Sequence, residues 1–278
     1  MNFKKKLENE AHWKHVFSSD NFEHRWVASA SSPGCFPTSK SALQMVRPRS
    51  PLMRDLLIHL DTDPDVVAIA AYPEETEYWT IATNGEPTIR THIPDVATLR
   101  RGGRVVVVDV VLSTDRKGGA TIEQKATDLK AHYRGLGAEY YLLDEEAIRL
   151  QPLFDNRRDM WQHKAFHGQE PEIASIAAEI LAQPLPLNIG QLAARLAPRR
   201  SAAEWNDEFG PLYTAIKQLV MSGRITVDLT RRFSRWTVLH LPSRTTGVRR
   251  PDTGRHRRPI PHAPHRPQTE ALTPRAVQ

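Results

Sequence analysis

Two aspartates stand where a carboxylate is costly. Asp109 interrupts the apolar run Val105-Val106-Val107-Val108, and Asp95 follows Pro94 at the head of another strand-like stretch. A carboxylate flanked by valines is expensive to bury unless a cation or several donors meet it. Between the two, Arg101-Gly102-Gly103-Arg104 offers the positive φ of a tight turn, so strands 91–100 and 104–112 are predicted to pair antiparallel and bring Asp95 and Asp109 to one cleft. Two convergent aspartates suit Mg²⁺ or Mn²⁺, which take oxygen ligands, activate water and stabilise charge on a scissile phosphate. A plainer reading stands beside this one: Asp after Pro starts turns, and Asp at a strand end accepts backbone hydrogen bonds.

The elements around the pair form an ordered set. Ser50-Pro51-Leu52-Met53-Arg54-Asp55-Leu56-Leu57 reads as a capped helix, followed by the strand approach Asp61-Thr62-Asp63-Pro64-Asp65-Val66-Val67. Pro94-Asp95, the hairpin, a helix within Ala120 to Gly137, and the closing stretches Leu143 to Arg149 and Pro152 to Asn156 complete it. In this order, residues 39–165 resemble the nuclease domain of TnsA-like endonucleases, subunits of heteromeric transposases. The resemblance implies an α/β, restriction-endonuclease-like mixed sheet flanked by helices. It also implies metal-dependent cleavage of DNA at transposon ends. The partners it implies are DNA, a companion transposase subunit and an ATPase regulator.

Two positions depart from that family's pattern. A glutamate is expected on the first helix, just before Ser50 or at position 53, where this chain has Arg49 and Met53. The family's acid-x-Lys triplet reads Asp109-Val110-Val111, so the lysine that would orient water or stabilise phosphorane charge is missing. Lys125, on the helix predicted over Thr121 to Arg134, is the best-suited substitute. Its neighbours Glu123, Asp128 and Lys130 also fit a solvated helix face. Glu74, Glu75 and Glu77, around the Pro73 turn, suit an exposed edge better.

Charge is unevenly spread. Of 278 residues, 40% are hydrophobic and 25% charged, ordinary values for a chain able to bury a core. The net charge of +6 resides wholly in residues 242–278, where eight arginines meet only Asp252 and Glu270. With seven of the 21 prolines and few large apolar side chains, that tail is predicted to be disordered and to attract phosphates in a salt-dependent way. His256, His262 and His265 lie scattered among its prolines without metal-ligand spacing. The lone Cys35 excludes an internal disulfide, no apolar segment follows Lys4-Lys5-Lys6, and none reaches membrane-spanning length, so a cytoplasmic location is expected.

Between the nuclease-like region and the tail, helical spacing runs over Glu170–Gln183, Ile189–Leu196 and Ala202–Ser222, the last interrupted near Gly210-Pro211 and ended by Gly223. Two short strands, Ile225–Leu229 and Thr237–Leu241, flank a basic segment. Three helices and a basic hairpin predict a winged helix, with Lys217, Arg224, Arg231, Arg232 and Arg235 as DNA contacts, or else a protein-docking module. Phe3–Phe17 fits a short amphipathic helix, with Trp13 and Trp26 available to pack on the core. The expected division is therefore an N-terminal extension at 1–44, a nuclease-like domain at 45–166, a winged helix at 167–241 and a tail at 242–278. Two functions fit it: a metal-dependent endonuclease using Asp95 and Asp109, or a subunit that keeps the fold without the chemistry and binds DNA or a transposase.

Overall fold

The valine run sets the architecture. A computed structural model describes residues 3–18, 34–117, 119–165, 168, 170–196 and 210–242; the predicted tail beyond Pro242, Trp26 and residues 202–209 of the third predicted helix lie outside these. Strand β7 (Val105–Val110) is buried at every position, as β-branched residues with both faces covered should be. It lies inside a four-stranded sheet ordered β3 (Val66–Ala71), β6 (Val96–Arg100), β7, β8 (Ala138–Leu143). β3–β6 and β6–β7 pair antiparallel and β7–β8 parallel. The fold is thus mixed α/β.

Strand alternation divides the core in two. Val106, Val108 and Val110 face a cluster with helix α2 (Pro51–Thr62), Ile148 and Phe154. Val105 and Val107 face the opposite cluster with Trp13, Leu129, Tyr133 and Tyr140. Helix α1 (Phe3–Ser18) joins this second layer as expected: Trp13 Nε1 donates to Leu136 O at 2.8 Å and Asn9 Nδ2 to Gly135 O at 3.3 Å. Gly137, at φ +74°, follows helix α4 (Ala120–Gly135), and a Cβ there would lie 3.1 Å from Asn9 Nδ2. His12 of α1 also meets Glu74 Oε1 at 3.1 Å. The hydrogen bond to Glu74 raises the His12 pKa against the opposing pull of burial. Its contribution is therefore present below the ordinary histidine value and lost as pH rises through the raised one. Glu74→Gln is expected to destabilise the protein more at mildly acid than at mildly alkaline pH, as read by thermal unfolding.

The predicted strand 91–100 is corrected. Thr91 and His92 end β5 (Pro87–His92), which pairs with β4 (Thr76–Ile81) in a separate hairpin, and the chain bends through Ile93-Pro94-Asp95 before β6. Pro94 has no N–H to continue a ladder. The turn is as predicted, with Gly102 and Gly103 at φ +86° and +81°.

A third hydrophobic cluster, spanning residues 160–239, is built by α7 (Pro171–Leu181), α8 (Ile189–Leu196) and α9 (Pro211–Met221). Short strands β9 (Leu187–Asn188) and β10 (Val238–Leu239) pair antiparallel beside them. The two strands predicted at 225–229 and 237–241 meet only through the Thr226–His240 bridge. Asp228 diverts the chain between them, its Oδ1 accepting from Thr230 N at 2.9 Å and Thr230 Oγ1 at 2.6 Å. The cluster is fastened to α6 (Leu153–Gln162), where Asn156 Nδ2 donates to Leu229 O at 2.8 Å and Arg231 O at 2.7 Å, while Asn156 Oδ1 accepts from Phe233 N at 3.1 Å. No helix among the described residues is long and apolar enough to cross a membrane.

Candidate functional site

The β6–β7 register, with Val96 opposite Val108, brings Asp95 beside Asp109. Each carboxylate accepts from backbone near the other: Asp109 Oδ1 from Asp95 N at 2.9 Å, and Asp95 Oδ2 from Val110 N at 2.8 Å. Asp109 Oδ2 further accepts from Tyr140 OH at 2.6 Å and lies 2.7 Å from His92 Nε2. Asp95 is gripped side-on by Arg49, with Nε 2.5 Å from Oδ1 and Nη2 2.8 Å from Oδ2. Both aspartates are buried, at 1% and 5% exposure. Arg49 reaches Asp95 from a half-exposed position immediately before Ser50, the residue that caps α2 by accepting from Met53 N.

Electrostatics separate the pair. Burial, reinforced by the charge of Asp109, pushes the Asp95 carboxyl up to about 7, against the pull of Arg49 and the Val110 N–H. Burial would push Asp109 upward too, but the bonds from His92, Tyr140 and the Asp95 N–H outweigh it and hold Asp109 below the usual carboxylate range. One charge, that of Asp109, is thus held firmly, and a guanidinium is drawn onto the other carboxylate.

This donor set does not fit Mg²⁺ or Mn²⁺. Every oxygen of the pair has a protein donor or cation against it, and the Arg49 guanidinium would have to leave Asp95 before a divalent cation could bind there. Met53, the other position where an acid is expected, is wholly buried and its Sδ lies 3.3 Å from Tyr72 OH and 3.4 Å from Arg49 N. Among the described residues no group of three or more His, Cys, Asp or Glu is arranged to hold a metal ion. The convergence predicted for Asp95 and Asp109 is present; the cation they meet is a side chain.

Lys125 takes no part in this cluster. It is exposed on α4, which turns Leu129 and Tyr133 inward. Sequence reasoning missed Arg49, His92 and Tyr140. Arg49 registers there only as a missing acid, and His92 sits three residues before Asp95 without any ligand spacing. Tyr140 is 31 residues from Asp109 and becomes its neighbour through the parallel β7–β8 pairing.

The predicted DNA contacts divide. Lys217 is corrected: at 1% exposure it lies inside, 2.9 Å from Asp159, with its Nζ 5.8 Å from the ring centres of Tyr213 and Phe233. A lysine is buried here because α6 supplies its counter-charge. The rest of α9 offers little surface: Pro211, Thr214, Gln218 and Met221 are partly exposed and none of its residues is fully so. Its outer side meets α6 through Thr214–His163 at 2.8 Å and a Gln218 Nε2 bond to His163 O at 3.0 Å. Arg224, Arg231, Arg232 and Arg235 are exposed. Arg231 has a loose contact with Asp228 at 3.6 Å, and Arg235 stacks on Trp236.

No protein-family model matches the chain, and comparison with curated proteins returns no significant match.

Proposed function

We propose that this protein is a DNA-binding transposition subunit of the TnsA-like kind that keeps a restriction-endonuclease-like fold and has lost metal-dependent strand cleavage. Support for the fold is topological: a helix, antiparallel strands β3, β6 and β7, a helical crossover and parallel β8, with both aspartates at the β6–β7 juncture. The region of α7 to β10 reads as a winged helix in the order helix, strand, two helices and one short strand, with the Thr226–His240 bridge beside it and the third helix turned inward. The single observation that carries the functional reading is Arg49. Its guanidinium neutralises Asp95 from the position where the family's glutamate would bind metal.

DNA binding in this reading is electrostatic. With α9 closed to a major groove, phosphate contact falls to Arg224, Arg231, Arg232, Arg235 and the +6 sequence that follows Pro242. A companion transposase would supply the strand chemistry.

The test is calorimetric titration of Mn²⁺ into the natural protein and R49E, together with a cleavage assay on supercoiled DNA. The natural protein is expected to give no binding heat and no nicking. R49E, with three acids converging, is expected to be unstable in chelator and to regain stability on adding Mn²⁺. Mn²⁺ binding by the natural protein that vanishes in D95N/D109N would revive the endonuclease reading.

A further inference from the structure

The loop from Asp228 to Thr237 carries more than cations. Trp236 is 71% exposed even though the Arg235 guanidinium lies over its ring at 5.2 Å, so one aromatic face is covered and the other is open. An exposed tryptophan in a flexible loop would mean little, but this one is fixed from several sides. Gly190 N donates to Arg235 O at 2.8 Å, and Ile189 N to Thr237 O at 3.0 Å. Trp236 N donates to Ser234 Oγ at 3.2 Å, and Thr237 Oγ1 accepts from Ser234 N at 2.9 Å. A Cβ at Gly190 would lie 3.4 Å from Arg235 O and 3.5 Å from Arg235 Nε, so the loop approaches the start of α8 closely. Asn156 fixes the other end through Leu229, Arg231 and Phe233.

A fixed, open ring with a guanidinium on its far face and exposed Arg231 and Arg232 in the same loop matches what single strands need. Bases stack on aromatic faces, and cations meet the phosphates between them. A duplex hides its base faces, so it would leave this ring unused. Helix α9, the element that could otherwise read a groove, is closed. The chain also continues from Pro242, shortly after this loop, into the sequence that holds the whole net charge of +6.

We propose that this loop binds single-stranded DNA, with an unpaired base laid on the open face of Trp236 and its phosphates on Arg231 and Arg232. The proposal rests on the DNA-binding reading above and goes beyond it by naming the form of DNA. In a transposition subunit such a site would hold a strand that has been freed or frayed at an element's end.

The experiment is fluorescence anisotropy of the full chain with a labelled oligothymidine of about 20 nucleotides and with a duplex of equal length, at one fixed salt concentration. Trp236→Ala is expected to weaken single-strand binding about tenfold or more and duplex binding less than about twofold, with Trp236→Phe recovering most of the loss. Because the side chain is exposed, unchanged thermal unfolding should accompany it. Single-strand affinity unaffected by Trp236→Ala, or an equal loss on both DNAs, overturns the proposal. Arg224, Arg231 and Arg232 changed together to Ala separate the two readings: undiminished duplex binding overturns the duplex contact given to these arginines above, and undiminished single-strand binding overturns the phosphate contacts proposed for the loop.

Discussion

Arg49→Ala is expected to destabilise the protein by about 2–4 kcal/mol at alkaline pH and by much less in mild acid. Removing one partner of a buried pair leaves the other charge uncompensated, at about 3–5 kcal/mol when both are buried; Arg49 is half-exposed, which lowers the figure. The pH dependence follows from the two aspartates. Asp95 has a folded pKa raised to about 7, so its ionisation costs stability, and that cost grows as pH rises through this value. Without Arg49 the rise has less to oppose it, and Asp95 stays neutral longer. Asp109 has the opposite sign: lowered in the fold, it contributes stability above the ordinary carboxylate value and loses it as pH falls. Urea unfolding at about pH 5 and about pH 8.5 separates these. Adding Asp95→Asn to Arg49→Ala is expected to recover much of the alkaline loss, because the neutral amide needs no counter-charge. Equal losses at both pH values would mean that Arg49 acts through packing rather than charge.

Asn156→Ala is expected to lower stability by about 2–4 kcal/mol, since three loop backbone groups lose their partner at a side chain only 5% exposed. A chain of this size would then lose roughly 5–10 °C in Tm. Hydrogen exchange gives the local readout: the Phe233 amide, which donates to Asn156, should become markedly less protected than the α9 amides. Asn156→Asp keeps an acceptor for Phe233 but turns a carboxylate toward the Leu229 and Arg231 carbonyls. It is expected to be no better than Ala. A Tm unchanged in both variants would mean that water replaces all three bonds without cost.

Local chemistry was readable and long-range chemistry was not. Gly102-Gly103 announced the turn, the valine run announced a central strand, and together they paired Asp95 with Asp109. The Asn84-Gly85 turn between Thr76–Ile81 and Pro87–His92 was equally legible, with Gly85 at φ +86°, yet the β4–β5 hairpin was missed because Thr91 and His92 were assigned to the strand of Asp95. What the pair meets was hidden. Arg49 lies 46 residues from Asp95, and nothing in the spacing says that a side chain beginning at the surface ends on a buried carboxylate. The absent glutamate was noticed; the cation standing in its place was read only as a loss. Lys217 misled for the related reason that a cation on a helix suggests solvent or phosphate. Its place between Ile216 and Leu219, both fully apolar contacts of the core, pointed inward, but Asp159 sits 58 residues away.

The closure of α9 over α6 bears on how this molecule divides. A cut at residue 166, where composition suggests a border, would strip Asn156, Asp159 and His163 of their partners at 214–233 and leave Lys217 without its counter-charge. The two halves are expected to unfold together, in a single transition. Asn156 ties the loop of Trp236 to α6, the helix that packs against α2, which in turn begins beside Arg49.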